Sequence, residues 1–155
     1  MSIAPLDDVA TRPVLRLTPG RDRRVKAGHP WAYSNEVAMT PALRALPAGA
    51  PVRLEGDDGV KHGTWLFNPH SLIAARKLSA DPGMVLGEAY FRAWLAECIA
   101  LRDRVVGAPY YRMVHAEADG LPGLVIDRYG DAESARLHLE SIKRILAHQE
   151  PDYLD

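Results

Sequence analysis

APVRLEGDDGVKHGTWLFNPHSLIAARKLS, residues 50–79, alternates short apolar runs with turn-forming clusters. Val52 to Glu55 and Val60 to Phe67 flank Asp57-Asp58-Gly59, and Asn68-Pro69 separates the second run from Leu72 to Leu78. Asp, Asn, Gly and Pro each suit turn backbone for a separate stereochemical reason. Short apolar runs bounded by them read as strands joined in tight hairpins. Successive strands this close together predict a mainly β domain curling into a small barrel.

Upstream, Val14 to Leu17 alternates apolar and basic residues, as a half-buried strand does. Thr18 stands as N-cap, Pro19 at a first helical position, and Gly28 with Pro30 as stop signals, so residues 18–30 predict one short basic helix. Trp31 to Val37 follows as a second strand. Its alternation puts Trp31, Tyr33 and Asn35 on one face and Ala32, Ser34 and Glu36 on the other, and makes the aromatic face a candidate for burial. Pro41, Pro47 and Pro51 mark a connection over residues 41–51.

Downstream, Phe91, Trp94, Leu95, Cys98, Leu101, Arg102 and Val105 fall at steps of three and four, the spacing of an amphipathic helix. Tyr110 to Val114 and Leu121 to Ile126 flank Ala118-Asp119-Gly120 and predict a β-hairpin. Leu137, Ile142, Ile145 and Leu146 suggest a terminal helix ending at Glu150-Pro151. The expected chain is α+β, mainly β: a barrel-like domain over 1–80, a linker helix within 81–108, a hairpin region at 109–131, and a C-terminal helix and tail over 132–155.

With 25% charged and 47% hydrophobic residues, the composition is that of a folded globular chain and excludes disordered and fibrous classes. A formal net charge of −1 gives no global pull on polyanions, so any such binding must be local. The charge is polarised: Arg12 to Lys26 holds six cations against Asp22 alone, whereas Asp131 to Asp155 holds six carboxylates against three cations. The single cysteine, Cys98, cannot close an internal disulfide, which suits a reducing compartment. Neither a secretory leader nor a membrane-spanning run is visible, so a cytoplasmic protein without a membrane partner is expected.

No residue is assigned a catalytic or metal-binding role. Cys98 lies on the apolar stripe of its helix and reads as a small buried hydrophobe. Leu124 to Asp131 begins like a cofactor-binding turn, with Asp127 after an apolar strand, but Gly130 is its only turn glycine. Glu117, Asp119 and Asp127 read as turn residues before they read as an acid/base group. The six histidines lack zinc-site spacing.

Binding is better supplied. Arg21, Arg23, Arg24 and Lys26 provide cations for phosphates, and Trp31 and Tyr33 provide rings for unpaired bases. His29, Ser34, Asn35 and Arg76 add polar contacts, with Lys77, Asn68 and His70 as weaker candidates. A solvated basic helix beside a core tryptophan is the alternative, and composition leaves both standing.

Three stretches, DRRVKAGHPWAYSNEV (22–37), HGTWLFNPHSLIAARKLS (62–79) and YRMVHAEADGLPGLVIDRYGD (111–131), occur in an order and spacing that resemble one family. It is the front part of the bacterial S-adenosylmethionine-dependent methyltransferases that make 5-methylcytosine in large-subunit ribosomal RNA. The resemblance implies a PUA domain, a small RNA-binding pseudo-barrel, containing the first two stretches. It places the third in a hairpin region that leads to a Rossmann-like catalytic domain. It also implies that structured RNA, ribosomal in this family, runs along the basic helix and the following strand. Ala116 departs from the pattern, where the family more often has glycine.

After Asp131 a family member continues into a cofactor-binding domain, which this sequence does not show. S-adenosylmethionine is therefore implied for the full-length family and for no residue here. The leading expectation is an RNA-binding portion without its own catalytic centre. Two others stand beside it: a subunit or truncated form of an active methyltransferase, and an interaction module that forms a homodimer through apolar helix faces.

Overall fold

The structure, a computed structural model, describes residues 8–130, and the expected C-terminal helix lies outside the described residues. The strands predicted within residues 50–79 are present as β3 (Ala50–Glu55), β4 (Lys61–Phe67) and β5 (Ala75–Ser79), paired antiparallel in chain order. With β1 (Val14–Arg16) and β2 (Trp31–Ala32) they form a five-stranded sheet of order β1-β3-β4-β5-β2, in which β1 runs parallel to β3.

The residues just past the two edge strands meet. Leu17 bridges Val37, the Thr18 N–H donates to the Glu36 carbonyl at 2.8 Å, and the Ala38 N–H donates to the Arg16 carbonyl at 2.8 Å. These contacts curl the sheet towards closure and leave few open edge groups. The fold is the expected α+β, mainly β, pseudo-barrel. Its interior follows the strand period of two: Leu15, Leu17, Val52, Leu54, Trp65 and Phe67 are buried together. Burying each large side chain contributes about 1.5–3 kcal/mol.

Between Thr64 and Trp65 the pairing of β4 with β5 shifts register. Gly63 permits this: its φ is +102°, and a Cβ there would lie 2.1 Å from the Ser79 carbonyl oxygen. Only a residue without a side chain lets the two backbones approach this closely.

Several element boundaries differ from expectation. The basic helix is only α1 (Arg23–Lys26); Thr18 does not cap it, because its hydroxyl reaches the Glu36 carbonyl at 3.2 Å and Gly20, at φ +75°, breaks helical backbone. The strand expected from Trp31 to Val37 stops at Ala32, where the Glu36 carboxylate accepts the Tyr33 N–H at 2.9 Å and holds a turn. Ala32 and Glu36 are the buried side and Trp31 is only half-buried, so the aromatic face is not the core face.

The proline-rich connection contains α2 (Pro41–Arg44), capped by the Thr40 hydroxyl accepting the Leu43 N–H at 3.2 Å. The third strand of residues 50–79 starts at Ala75, three residues later than Leu72, and Leu72 itself is exposed.

Beyond the barrel, α3 (Glu88–Val105) packs on a hairpin of β6 (Tyr110–His115) and β7 (Val125–Tyr129). Leu121 and Leu124, expected in the second strand, are buried in the loop before it, where Gly120 and Gly123 take positive φ. Ala116, which stands where the resembled family more often has glycine, is the only non-glycine residue with positive φ among the described residues, at 45°.

Arg12 is buried, and its guanidinium donates to Thr64 Oγ1 at 2.7 Å and to the Pro82 and Met84 carbonyls at 3.2 and 2.8 Å. A buried cation persists only when its donors are satisfied. Here those bonds clamp the passage from β5 to α3 onto the barrel. Among the described residues, no helix is long and apolar enough to cross a membrane.

Candidate nucleic-acid interface

The four cations of the basic segment do not share one environment. Val25 is the buried residue of α1 and anchors the short helix, so its neighbours face outward. Arg21 and Arg23 are exposed, and neither has an ion-pair partner among the described residues. Arg24 lies 4.7 Å over the Tyr33 ring, contacts His29 Nε2 at 2.9 Å and approaches Glu36 Oε1 at 3.6 Å. Lys26 is held by Asp22 and, at 3.0 Å, by Asp58. Those carboxylates, Asp22 first, hold its ammonium pKa well above the ordinary lysine value.

The aromatic and polar candidates sit beside these cations. The His29 ring meets the Trp31 ring edge-on at 5.7 Å, and the Arg76 guanidinium lies 5.9 Å from the Trp31 centroid. Ser34 and Asn35 are exposed in the turn after β2, and the Ser34 N–H donates to the Leu72 carbonyl at 2.9 Å. Sequence reasoning did not find the residue that gathers this group. Glu117 Oε1 accepts from Trp31 Nε1 at 3.1 Å and from Arg76 at 2.6 Å, and so ties the hairpin region to the barrel. The contacts span 86 and 41 residues of chain, and no local pattern signals a pairing at such separations.

The other two carboxylates weighed as an acid/base group are also taken by arginines. Asp119 accepts both Arg102 nitrogens, at 2.7 and 2.6 Å, and Asp127 accepts Arg112 at 2.8 and 3.2 Å. Burial pushes the Glu117 and Asp119 carboxyls up, but hydrogen bonds, including those from Arg76 and Trp31 to Glu117 and from Arg102 to Asp119, outweigh it and hold both below the usual range.

A carboxyl depressed by folding stabilises the fold above its unfolded pKa, and that stability is lost as pH falls through the folded value. The seam between barrel and hairpin should therefore loosen in acid, below about pH 4. Trp31 donates at this seam, to Glu117, and Trp94 of α3 donates to the Asp119 carbonyl just beyond it, so tryptophan fluorescence should report the loss of both carboxylates' links. A spectrum unchanged between neutral pH and about pH 3 would contradict the assignment.

Cys98 is buried in α3, and desolvation, with Asp119 nearby, pushes its thiol pKa up, away from thiolate chemistry. Asp22, Asp57 and Asp58 bring carboxylate oxygens within 4.8 Å of one another, but the Lys26 ammonium already lies against two of them. At the seam a groove of about 510 Å³ opens between barrel and hairpin, lined by Leu66, Asn68, Arg76, Phe91, Glu117 and Pro122 among others.

A pseudo-barrel with a short basic helix against its closing edge matches a known domain family across residues 15–80. Those residues form a PUA-like domain. The chain is similar to "Ribosomal RNA large subunit methyltransferase I" of Aliivibrio fischeri strain MJ11, 34% identical over 118 residues that make up 74% of this chain and 29% of that protein. The protein of that name in Shewanella denitrificans is 33% identical over 76% of this chain and 30% of its own length, and that of Shewanella amazonensis 31% identical over 89% and 37%. The chain thus spans only about three to four tenths of the curated relatives it matches.

Among solved structures, one described as a SAM-dependent methyltransferase from Streptococcus mutans superposes with a TM-score of 0.63 at 17% identity, covering 86% of this chain and 36% of that one. At that identity the likeness speaks for the fold. It reaches past the PUA-like domain, because 86% coverage of this chain exceeds residues 15–80.

Proposed function

We propose that this chain is the RNA-docking portion of a ribosomal RNA methyltransferase, and that the methyl acceptor is cytosine C5 of large-subunit ribosomal RNA in the cytoplasm. The observation that carries the reading is the pair of exposed guanidiniums, Arg21 and Arg23, on the same short segment of the PUA-like domain whose Arg24 overlies the Tyr33 ring and whose His29 meets the Trp31 ring. Cations without an internal partner are available to phosphate, and adjacent aromatic faces suit unpaired bases. Arg24, His29, Ser34, Asn35 and Arg76 extend this surface, whereas Lys26, held by two carboxylates, contributes least.

The described residues do not fit S-adenosylmethionine. Asp127 is engaged by Arg112, and Gly130 stands without the glycine-rich turn that lets a pyrophosphate or sulfonium group approach backbone. Nor does buried Cys98 fit the thiolate attack that cytosine C5 methylation needs. The chemistry therefore belongs to other segments of such an enzyme, and this portion contributes recognition and orientation.

The test is a titration of labelled large-subunit ribosomal RNA at several salt concentrations. Two to three phosphate contacts predict a slope of about −2 in log affinity against log salt. A flat line would remove the phosphate contacts and with them the proposed docking role.

A further inference from the structure

The groove at the seam has features that the phosphate-binding surface does not explain. Its volume of about 510 Å³ falls within the roughly 300–1,000 Å³ of small-molecule sites. Its walls are mostly apolar, with Phe91 and Pro122 as flat surfaces and Leu66 beside them, and a few polar groups converge in it: Arg76, Glu117 and Asn68. Arg76 also overlies Trp31, so the groove is continuous with the proposed RNA-docking surface.

We propose that this groove receives a single unstacked RNA base, guanine in preference to the others, read by Glu117 and Arg76. The proposal rests on the RNA-docking reading above and names what that surface recognises.

The chemistry runs from the carboxylate. A carboxylate has about four lone-pair positions, and the donors Arg76 and Trp31 both fall on Oε1, so acceptor capacity remains. The Watson–Crick edge of guanine carries two adjacent donors, N1–H and N2–H, next to the O6 acceptor. The donors match a carboxylate and O6 matches an arginine, and Glu117 and Arg76 stand 2.6 Å apart in the groove. Uracil presents one donor between two carbonyls, which a carboxylate repels. Specific RNA readers handle splayed-out bases in this way, stacking the ring and hydrogen-bonding its edge. The ion pair and the Trp31 bond hold Glu117 in place beforehand, so little ordering accompanies binding.

The experiment uses the full chain, isotope-labelled for amide NMR, titrated with guanosine, adenosine, cytidine and uridine. Nucleosides carry no phosphate, so Arg21 and Arg23 do not bias the result. Guanosine should shift the amides of Asn68, Gly123 and Leu124 and bind about tenfold or more tightly than uridine. Glu117→Gln should erase that preference. Phe91→Leu, which leaves the Glu117 links intact, should weaken all four nucleosides to a similar degree.

Groove amides silent to every nucleoside, or a ranking that Glu117→Gln leaves unchanged, overturn the proposal. Groove amides that move with protein concentration alone would assign the groove to a second copy of this chain and overturn it as well. The salt titration scores the docking reading separately. A steep slope with a silent groove fails only the groove, and guanosine shifts with a flat slope fail only the phosphate surface.

Discussion

Gly63→Ala should destabilise the folded chain by about 2–5 kcal/mol, a large part of the margin a small domain possesses. Two costs add. A non-glycine residue at φ +102° leaves its allowed backbone region, at roughly 1–2 kcal/mol. A Cβ placed 2.1 Å from the Ser79 carbonyl oxygen also forces β4 and β5 apart, at about 1–3 kcal/mol on the scale of overpacked cores. The atom in the way is backbone and cannot rotate aside. Gly59→Ala is the control: φ is +78° there, but nothing lies within 4 Å of the added carbon, so only the backbone cost of about 1 kcal/mol applies. Denaturant midpoints of both variants measure the difference, and equal losses would show that close approach at Gly63 is not what matters.

The second large effect concerns binding. Reversing Arg21 and Arg23 together to glutamate should weaken RNA affinity on the order of a hundredfold at low salt, with a shallower salt slope. Both guanidiniums are exposed and lack ion-pair partners among the described residues, so the substitution disturbs no packing. Lys26→Glu should do far less to binding, because the Lys26 charge is already spent on Asp22 and Asp58. Its cost falls on α1 itself, where the new glutamate would join Asp22, Asp57 and Asp58 as a fourth carboxylate. A loss of log affinity from Lys26→Glu about half that of the double reversal, in proportion to the two charge units changed against four, would mean that net charge alone, and not the exposed pair, attracts RNA.

Turn chemistry and strand period made the barrel readable. Asp57-Asp58-Gly59 and Asn68-Pro69 punctuate residues 50–79 between short apolar runs, and both signals are local. The boundaries that shifted were set by distant partners. Thr18 reads as a helix cap in its own neighbourhood, yet it bonds the Glu36 carbonyl, so the helix starts five residues later. Trp31 to Val37 reads as a strand until the Glu36 carboxylate folds back onto the Tyr33 N–H. Leu121 and Leu124 have the composition of a strand, but the glycines beside them bend the chain so that they plug the hydrophobic cluster under α3 from a loop.

The interface was legible as a list of residue types and not as an arrangement. Residues 20–37 carry the cations and rings in one short segment, so the candidate surface followed from proximity in sequence. Which cations stay unpartnered did not follow, since Asp58 reaches Lys26 from a separate hairpin turn. Glu117 looked like one acid in a turn-rich stretch, and its partners lie on β2 and β5.

The long reach of Glu117 also orders events at the ribosome exit. Every strand of the barrel is in hand once Ser79 has emerged, and the PUA-like domain can close while the rest is still being synthesised. Until Glu117 follows, the Trp31 indole N–H and the Arg76 guanidinium remain without their carboxylate, facing outward from a finished barrel. During that interval the nascent chain is at its most cationic along this edge, close to a surface made largely of RNA. Arrival of the hairpin then supplies the acid that caps the edge.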